Sequence, residues 1–400
     1  IINVGEKEIA YMVANSLSWE RKEWIGIDGQ WIYVDVPAMG YTVVNLESGD
    51  DEHQQLFASE TTLENNILKI KFAGDGTIQS IFDKEYNREL IAPEAVANRL
   101  SIYEDQGDAW DFPIHYDERS ASCFELKSTE ARIDGPRAIV KQVYTFGQSK
   151  LVQEIILTAN CRRIDFNTEV DWQESNKMLR TSFPVNVYTI EATCDIQFGS
   201  IKRPTYRNTS WDMAKFEICA HKWVDLSQGD YGVALLNDCK YGYKVLKNVI
   251  DLNLLRSPGY PDPTADRGQH EFTYSLYPHR GDHISGEVIK TAYELNIPLK
   301  ILAMKAHIGK LPANKSFIKI KAENIIIETV KKAEDNDDII IRLYEAYGAG
   351  TRTKIQFYFD VKAVQLVDIM EENARQITFD KGSVELSFGP FEIHTLKISV

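Results

Sequence analysis

The sequence predicts a mainly β protein built from several sandwich domains. Short runs that alternate apolar and polar residues recur along almost the whole chain, as half-buried strands do. Turn signals such as Asp28-Gly29 and Asp75-Gly76 separate these runs. A helix is predicted at one segment, 286–296, which is followed by the stop signal Pro298. Together these patterns favour stacked sheets over a helical or α/β fold.

Length and charge narrow the class of protein further. A chain of 400 residues is too long for one ordinary core, so two or three domains are expected. The net charge of −14 argues against binding to nucleic acid, whose phosphates an acidic surface repels. No run of 18 apolar residues predicts a membrane span. The chain starts in a strand-like run without Met or a signal-peptide pattern, which predicts a fragment cut at a domain boundary.

The cysteines indicate a reducing compartment. The chain has five cysteines, an odd number, and none of them forms a CxxC pair. Scattered thiols of this kind are typical of reduced, mostly buried residues. We therefore expect a cytoplasmic protein.

The strand patterns divide the chain into three predicted domains. Residues 1–60 form a small β domain, because four short strand-like runs lie between turn signals there. Residues 61–305 form a large β sandwich. Its strand-like runs include 67–72, 77–82, 138–146, 151–159, 163–172 and 181–190. Residues 306–400 carry six further runs and predict a C-terminal β sandwich.

The strongest functional pattern is the segment LLRSPGYPDPTADRGQHEF, residues 254–272. The charged or titratable side chains of Arg256, Asp262, Asp266, Arg267 and His270 lie close together within it. Pro and Gly at 258, 259, 261, 263 and 268 predict a rigid, exposed loop. Aromatic rings near such charges suit a sugar site, where rings stack on sugar faces and charged groups bind hydroxyls. The same loop could instead be structural, with Arg256 paired to Asp262 or Asp266.

Long stretches of the sequence resemble one known family. The matching pieces are RPTYRNTSWDMAKFEICAHKWVDLSQGDYGVALLNDCKYGY, LLRSPGYPDPTADRGQHEFTYSLYPH and NRLSIYEDQGDAWD. They resemble the C-terminal β region of glycoside hydrolase family 38 α-mannosidases. The resemblance implies that 61–305 is a galactose-mutarotase-like β supersandwich flanked by smaller β sandwiches.

The resemblance also implies an activity and a cofactor for the parent protein. Family members are retaining, zinc-dependent enzymes that hydrolyse terminal α-D-mannosyl residues with a pair of carboxylates. The carboxylates and the zinc lie on an N-terminal barrel whose motifs this sequence lacks. We therefore expect no catalytic residue and no metal in these 400 residues, and a fragment that is inactive alone. Its expected partners are that barrel and, through it, mannosides; it could also assemble as a homo-oligomer.

By the same resemblance, part of the β region closes over the active site. The residues that would form this substrate rim are Arg256, Asp262, Asp266, Arg267 and His270, together with Trp110 and Asp111. The segment that ends in Trp110-Asp111 is shorter here than in the family. It could contact substrate or form a solvated turn.

One local pattern resembles a metal pair. His115 and Asp117 lie two residues apart, so both could face one side of a strand. Zinc requires three or four ligands, however, and the pair lies outside any barrel strand. We interpret it as a chance spacing.

Two other functions remain open. The chain could be an autonomous carbohydrate-binding or interaction module, which would bind a glycan without a second domain. It could also be an independent mutarotase or lyase, which would need His, Glu or Arg side chains converging in a concave face. No motif identifies either one.

Overall fold

The computed structural model describes residues 5–46, 55–111, 113–119, 121–307 and 309–400. Most of them lie in β strands, so the predicted mainly β class is confirmed. Contacts divide the chain into two compact units. The first unit comprises Ile1–Asp51, Gln197–Ser200 and Ile297–Val400, and the second comprises Glu52–Ile196 and Ile201–Asn296. The three-domain division at residues 60 and 305 stays a prediction.

The first unit begins with four strands. They are β1 Gly5–Asn15, β2 Arg21–Ile27, β3 Gln30–Val36 and β4 Gly40–Val44. The predicted turn at Asp28-Gly29 joins β2 to β3, and both turn residues have positive φ, at 49° and 79°. Two consecutive positive φ angles fit the tight hairpin that this residue pair favours.

In its described residues, the second unit holds twenty strands. They are β5 Phe57–Ser59, β6 Thr62–Glu64, β7 Leu68–Phe72, β8 Ile78–Asp83, β9 Arg88–Glu89, β10 Arg99–Glu104, β11 Ser122–Cys123, β12 Glu125–Asp134, β13 Arg137–Phe146, β14 Ser149–Thr158, β15 Ile164–Trp172, β16 Lys177–Pro184, β17 Glu191–Ile196, β18 Gly199–Pro204 (which begins in the first unit), β19 Ile218–Cys219, β20 Trp223–Ser227, β21 Tyr231–Asn237, β22 Gly242–Leu246, β23 Val249–Ser257 and β24 Gly268–Arg280. A 3₁₀ turn covers Tyr116–Glu118, and the helices are α1 Ser210–Ala214 and α2 Val288–Asn296.

The first unit resumes with the remaining strands. They are β25 Lys300–His307, β26 Asn314–Ser316, β27 Ile318–Ile320, β28 Ile325–Lys332, β29 Ile339–Glu345, β30 Thr351–Phe357, β31 Ala363–Val367, β32 Arg375–Gln376, β33 Phe379–Asp380, β34 Ser383–Phe388 and β35 Ile393–Ser399. The order β25-β1-β4-β26 forms one sheet, so strands that lie far apart in the chain pair with each other. The sheets β27-β30-β34-β33 and β28-β29-β35-β31-β32 share a second core.

Two large sheets of the second unit pack face to face. One has nine strands in the order β12-β13-β14-β15-β24-β21-β20-β17-β18, and the other has six in the order β11-β10-β16-β23-β22-β19. Phe166 of β15 meets Phe183 of β16 edge to face, with ring centroids 5.6 Å apart. Phe166 also stacks on Tyr274 at 4.9 Å. Both sheets contribute to one apolar core, which is the arrangement of a β sandwich.

A buried polar network interrupts this core. The Tyr274 hydroxyl donates to Asn98 Oδ1 at 2.6 Å and accepts from Gln153 Nε2 at 2.8 Å. Asn98 Nδ2 donates to Gln153 Oε1 at 2.7 Å, and Gln153 Nε2 also donates to Thr168 Oγ1 at 2.9 Å. All four side chains are buried. These hydrogen bonds offset the cost of removing the polar groups from water.

Three details differ from the predicted elements. The predicted helix at 286–296 is confirmed as α2, which begins two residues later, at Val288. The predicted strand at 181–190 is wrong in its second half, because β16 ends at Pro184. An unpredicted element is α1, a five-residue helix that Thr209 and Asp212 cap reciprocally. Within the described residues, no helix is both long enough and apolar enough to cross a membrane.

Candidate functional site

Arg256 organises the segment 105–111, here called the aspartate loop. It lies near the end of β23, and its guanidinium contacts the Asp105 carboxylate, with Nε at 2.7 Å and Nη2 at 3.2 Å. Nη2 also donates to the carbonyls of Asp108, at 2.5 Å, and Asp111, at 2.6 Å. Asp105 is fully buried, and Arg256 pairs with its carboxylate there. The planar fork of one arginine therefore ties a sheet strand to the whole loop.

Gly107 lets the aspartate loop close. A Cβ atom at this position would lie 2.0 Å from the Asp111 carbonyl oxygen and 2.8 Å from Arg256 Nη2. Both distances are shorter than any side chain tolerates. The loop can wrap around the guanidinium only because this residue lacks a side chain.

Asp108 fixes the end of the aspartate loop. Its Oδ1 accepts hydrogen bonds from the backbone N–H groups of Trp110 and Asp111, both at 2.9 Å. These bonds from Trp110 and Asp111 hold the pKa of Asp108 below its usual range. The carboxylate therefore stays ionised and orders the backbone that presents the Trp110 side chain.

Trp110 is presented to solvent beside a second aromatic ring. The Trp110 side chain is 73% exposed and that of Tyr260 is 64% exposed. Their ring centroids lie 6.1 Å apart, with the planes tilted by 53°. The Ala109 N–H donates to the Tyr260 carbonyl at 2.9 Å, which joins the aspartate loop to the segment after β23. Two large exposed rings side by side on braced backbones can serve as a binding surface.

An open pocket of about 680 Å³ lies at this position, here called the aspartate-tyrosine pocket. Its lining includes Asp108, Asp111, Ile114, Phe216 and Tyr260. The volume suits a small ligand. Rings and carboxylates around one concave surface can stack on the apolar face of a sugar and accept hydrogen bonds from its hydroxyls.

Buried charges support the wall of this pocket. The Tyr116 hydroxyl donates to Glu217 Oε1 at 2.7 Å, next to the lining residue Phe216. Arg180 donates to Glu217 Oε2 at 3.1 Å and to Asp251 Oδ1 at 2.5 Å. The cluster fixes the 3₁₀ turn against the sheet through paired charges rather than through apolar contacts alone.

The predicted loop residues brace their own segment. Asp262 Oδ1 accepts from the N–H and the hydroxyl of Thr264, both at 2.8 Å, and these bonds lower the pKa of Asp262. Arg267 donates to the Ser175 hydroxyl. His270 Nε2 lies 2.7 Å from the Asp266 carbonyl oxygen.

Two expectations about these residues are wrong. Arg256 does not pair with Asp262 or Asp266, because its guanidinium binds Asp105 instead. Arg256 and His270 also lie on the strands β23 and β24 rather than in the loop between them. The Asp266 side chain is exposed and His270 is half-buried.

The structure brings Arg256, Trp110 and Asp111 together at the aspartate loop, and of these three residues Asp111 lines the aspartate-tyrosine pocket. It adds three residues that the sequence analysis did not select: Asp105, Gly107 and Tyr260. The signal for Asp105 and Gly107 was the local string Asp-Gln-Gly-Asp, a turn-forming pattern beside the predicted Trp110-Asp111 pair.

His115 and Asp117 have separate partners. His115 Nδ1 lies 2.7 Å from Glu118 Oε1, and Asp117 Oδ2 accepts from Lys244 Nζ at 2.7 Å. Across the residues that the structure describes, no three His, Cys, Asp or Glu side chains are grouped as a metal site requires.

Comparison with known proteins gives consistent matches. Residues 63–264 match the model of the glycosyl hydrolases family 38 C-terminal domain, and residues 324–396 match that of the family 38 C-terminal beta sandwich domain. The chain is 36% identical to human Alpha-mannosidase 2C1 and 37% identical to Alpha-mannosidase G of Dictyostelium discoideum. These alignments cover 96% and 91% of this chain but only 39% and 36% of the relatives. The chain thus spans less than two-fifths of the length of these relatives.

A solved structure shows the same fold. The crystal structure of an alpha-mannosidase from Enterococcus faecalis V583 superposes with a TM-score of 0.76 at 15% sequence identity. The match covers 98% of this chain and 51% of that one. The arrangement of sheets is therefore shared despite low identity.

Proposed function

Since the chain belongs to glycosyl hydrolase family 38, as the match to its C-terminal domain over residues 63–264 shows, we propose that it is the β-rich part of an α-mannosidase. The whole enzyme would hydrolyse terminal α-D-mannosyl residues with retention of configuration. The role of this part is to shape the rim of the sugar-binding site. Its expected partner is the catalytic barrel of the same enzyme.

The rim proposal depends on the exposed pair Trp110 and Tyr260. Both rings protrude from backbones that the Arg256 contacts and the Ala109–Tyr260 hydrogen bond hold in place. A sugar that stacks on rings already fixed in position loses less entropy on binding than one that must order a mobile loop. The carboxylates of the aspartate-tyrosine pocket would accept hydrogen bonds from its hydroxyls.

Zinc does not fit the described residues, which lack a cluster of three suitable ligands. The zinc that the family resemblance implies is therefore proposed for the remainder of the enzyme, and no step of the reaction is assigned to it here. The acid and nucleophile carboxylates are proposed for the same remainder. The residues of this chain would orient the sugar and keep water from its outer face.

A cytoplasmic location is part of the proposal. All five cysteines are free thiols, which suits a reducing compartment. Burial raises the pKa of Cys194 to about 12 and keeps this thiol protonated.

The rim proposal is tested in the full-length enzyme with Trp110→Ala and Tyr260→Ala. We expect kcat/KM for an aryl α-mannoside to fall about tenfold in each, or about 1.4 kcal/mol of transition-state binding, because one stacking ring is lost. Both side chains are exposed, so the melting temperature should hardly change.

Trp211→Ala is the matched control. Trp211 is 78% exposed on α1, outside both the aspartate loop and the segment after β23. Its removal should leave kcat/KM unchanged. Unchanged kinetics in Trp110→Ala and Tyr260→Ala would refute the rim. Binding of mannosides by this chain alone, with Kd unaffected by the rest of the enzyme, would support the autonomous binding module instead.

A further inference from the structure

A second pocket of the second unit lies where the chain leaves β16. It has a volume of about 510 Å³ and shares no lining residue with the aspartate-tyrosine pocket. We call it the Tyr188 pocket. The lining residues that matter here are Arg88, Asn186, Tyr188, Tyr206, Gln228 and Lys247.

Tyr188 is the most exposed of the large apolar and aromatic side chains in the described residues, at 82%. Its backbone is nevertheless fixed. The Tyr188 N–H donates to Gln228 Oε1 at 2.9 Å, and the Asn186 N–H donates to the Leu90 carbonyl at 2.7 Å. A ring that contributes nothing to the core, yet projects from a braced segment beside a pocket, is placed for a ligand.

The charges of the Tyr188 pocket are opposite to those of the protein as a whole. Among the residues that the structure describes, no acidic one lines it, although the chain carries 59 acidic and 45 basic residues. Arg88 is paired with Asp230 at 3.1 Å and donates to the Asn186 carbonyl at 3.0 Å. The Lys247 ammonium is exposed, and among the described residues it has no hydrogen-bond or ion-pair partner. Lys247 therefore offers a positive charge that the fold itself does not use.

We propose that the Tyr188 pocket binds a pyranose that carries an anionic group. The apolar face of the sugar would stack on Tyr188, and the anion would lie on Lys247 in a charge-assisted contact. A second ring, Tyr206, is 42% exposed and lines the same pocket, so a sugar would lie between two aromatic side chains. The volume falls within the range of small-molecule sites.

The backbone conformation at Lys247 allows its positive charge to be removed by substitution without straining the chain. Its φ is +56°, in the left-handed region, at the hairpin turn between β22 and β23. Asn adopts this conformation more readily than most residues, so Lys247→Asn removes the charge without straining the turn. Lys381→Asn is the matched control, because Lys381 is also exposed and has a φ of +47°.

The experiment is calorimetric titration of the 400-residue chain with mannose, mannose 6-phosphate, glucuronate and inorganic phosphate. We expect both anionic sugars to bind at least about tenfold more tightly than mannose or phosphate alone, because ring and charge act together. Tyr188→Ala should weaken the binding of every sugar about tenfold. Lys247→Asn should abolish only the preference for anionic sugars, and the difference between phosphate and carboxylate reveals which anion fits.

Two control variants should bind the sugars as tightly as the unaltered chain does. They are Lys381→Asn and Tyr241→Ala, which removes another exposed tyrosine of the second unit. No saturation by either anionic sugar up to about 10 mM would overturn the proposal. Equal binding of phosphate and mannose 6-phosphate, insensitive to Tyr188→Ala, would reduce the site to a nonspecific anion contact. Loss of self-association in Tyr188→Ala without any change in sugar binding would identify a protein-docking surface instead.

Discussion

Arg256 and Asp105 form the contact that holds the candidate site together. The arginine meets the buried carboxylate with two nitrogen atoms, at 2.7 and 3.2 Å, and one of these also reaches the carbonyls of Asp108 and Asp111. Strand and loop are therefore fixed by one side chain. A change at Arg256 should affect the loop and the stability of the second unit together.

Arg256→Lys should lower the free energy of unfolding by about 1–3 kcal/mol, because one ammonium cannot replace a fork that serves a carboxylate and two carbonyls. The measurement is urea denaturation of the 400-residue chain. Arg132→Lys is the control, since the Arg132–Glu154 pair is half-exposed, and it should change stability by less than about 0.5 kcal/mol. Equal effects in the two variants would contradict the assigned role of Arg256.

Gly107→Ala should open the aspartate loop. The added Cβ would overlap the Asp111 carbonyl oxygen, which lies 2.0 Å from its position. Hydrogen exchange of residues 105–111 should accelerate at least about tenfold, because the closed loop loses stability relative to the open one. Gly74→Ala is the control, because no atom lies within 4 Å of a Cβ there. Unchanged exchange in Gly107→Ala would show that the loop accommodates the methyl group.

Asp266→Ala tests the segment after β23. The carboxylate is exposed and, in the described structure, accepts no hydrogen bond, so the melting temperature should fall only slightly, through the strain of Ala at the Asp266 φ of +57°. If the segment contacts substrate, kcat/KM of the full-length enzyme should fall at least about tenfold. His270→Ala should do the same and also loosen the loop, because His270 contacts the Asp266 carbonyl. Normal kinetics in both variants would make the segment purely structural.

Acid should release the aspartate loop through Asp108. The hydrogen bonds from Trp110 and Asp111 lower the pKa of Asp108. The stabilisation of the loop by the Asp108 carboxylate is therefore complete above pH 3.8, the ordinary pKa, and is lost as the pH falls through the lower pKa of the folded state. The amide resonances of Trp110 and Asp111 should therefore titrate with a midpoint below 3.8. Asp108→Asn should abolish this titration, and a midpoint at or above 3.8 would contradict the assignment.

Tyr274→Phe should destabilise the core of the second unit. The hydroxyl bonds to both Asn98 and Gln153, and its loss leaves buried polar atoms with fewer partners. The free energy of unfolding, measured by urea denaturation, should fall by about 1–3 kcal/mol. Tyr241→Phe, at an exposed position, should change the free energy of unfolding by less than about 0.5 kcal/mol. A neutral Tyr274→Phe would mean that the remaining network rearranges without loss.

The fold class could be predicted because strand alternation and turn chemistry are local. The hairpins at Asp28-Gly29 and Asp75-Gly76 follow from the conformations that these residues favour. The pairing of β1 with β25 could not be predicted, since nothing in either strand specifies a partner so far along the chain. The strand at 181–190 was predicted too long because the apolar run continues past Pro184, whereas the backbone turns away to form the Tyr188 pocket.

The candidate site was predictable by residue type but not by pairing. Sequence reasoning selected Arg256, Trp110 and Asp111 as functional residues. It paired Arg256 with the nearby Asp262 or Asp266, whereas the fold brings in Asp105 from 151 residues away. Charge density shows that partners must exist, but only the strand register of β23 against β16 and of β16 against β10 decides which carboxylate is within reach.

The sheet β25-β1-β4-β26 has a consequence for synthesis on the ribosome. β1 finds its partner β25 almost three hundred residues later in the chain, so its edge stays unpaired throughout that interval. At typical elongation rates this amounts to roughly 15–60 s, during which the whole second unit emerges and can fold. The nascent chain thus exposes an unpaired strand edge, which can pair with other chains, for far longer than a local hairpin would. Molecular chaperones bind nascent chains in this situation.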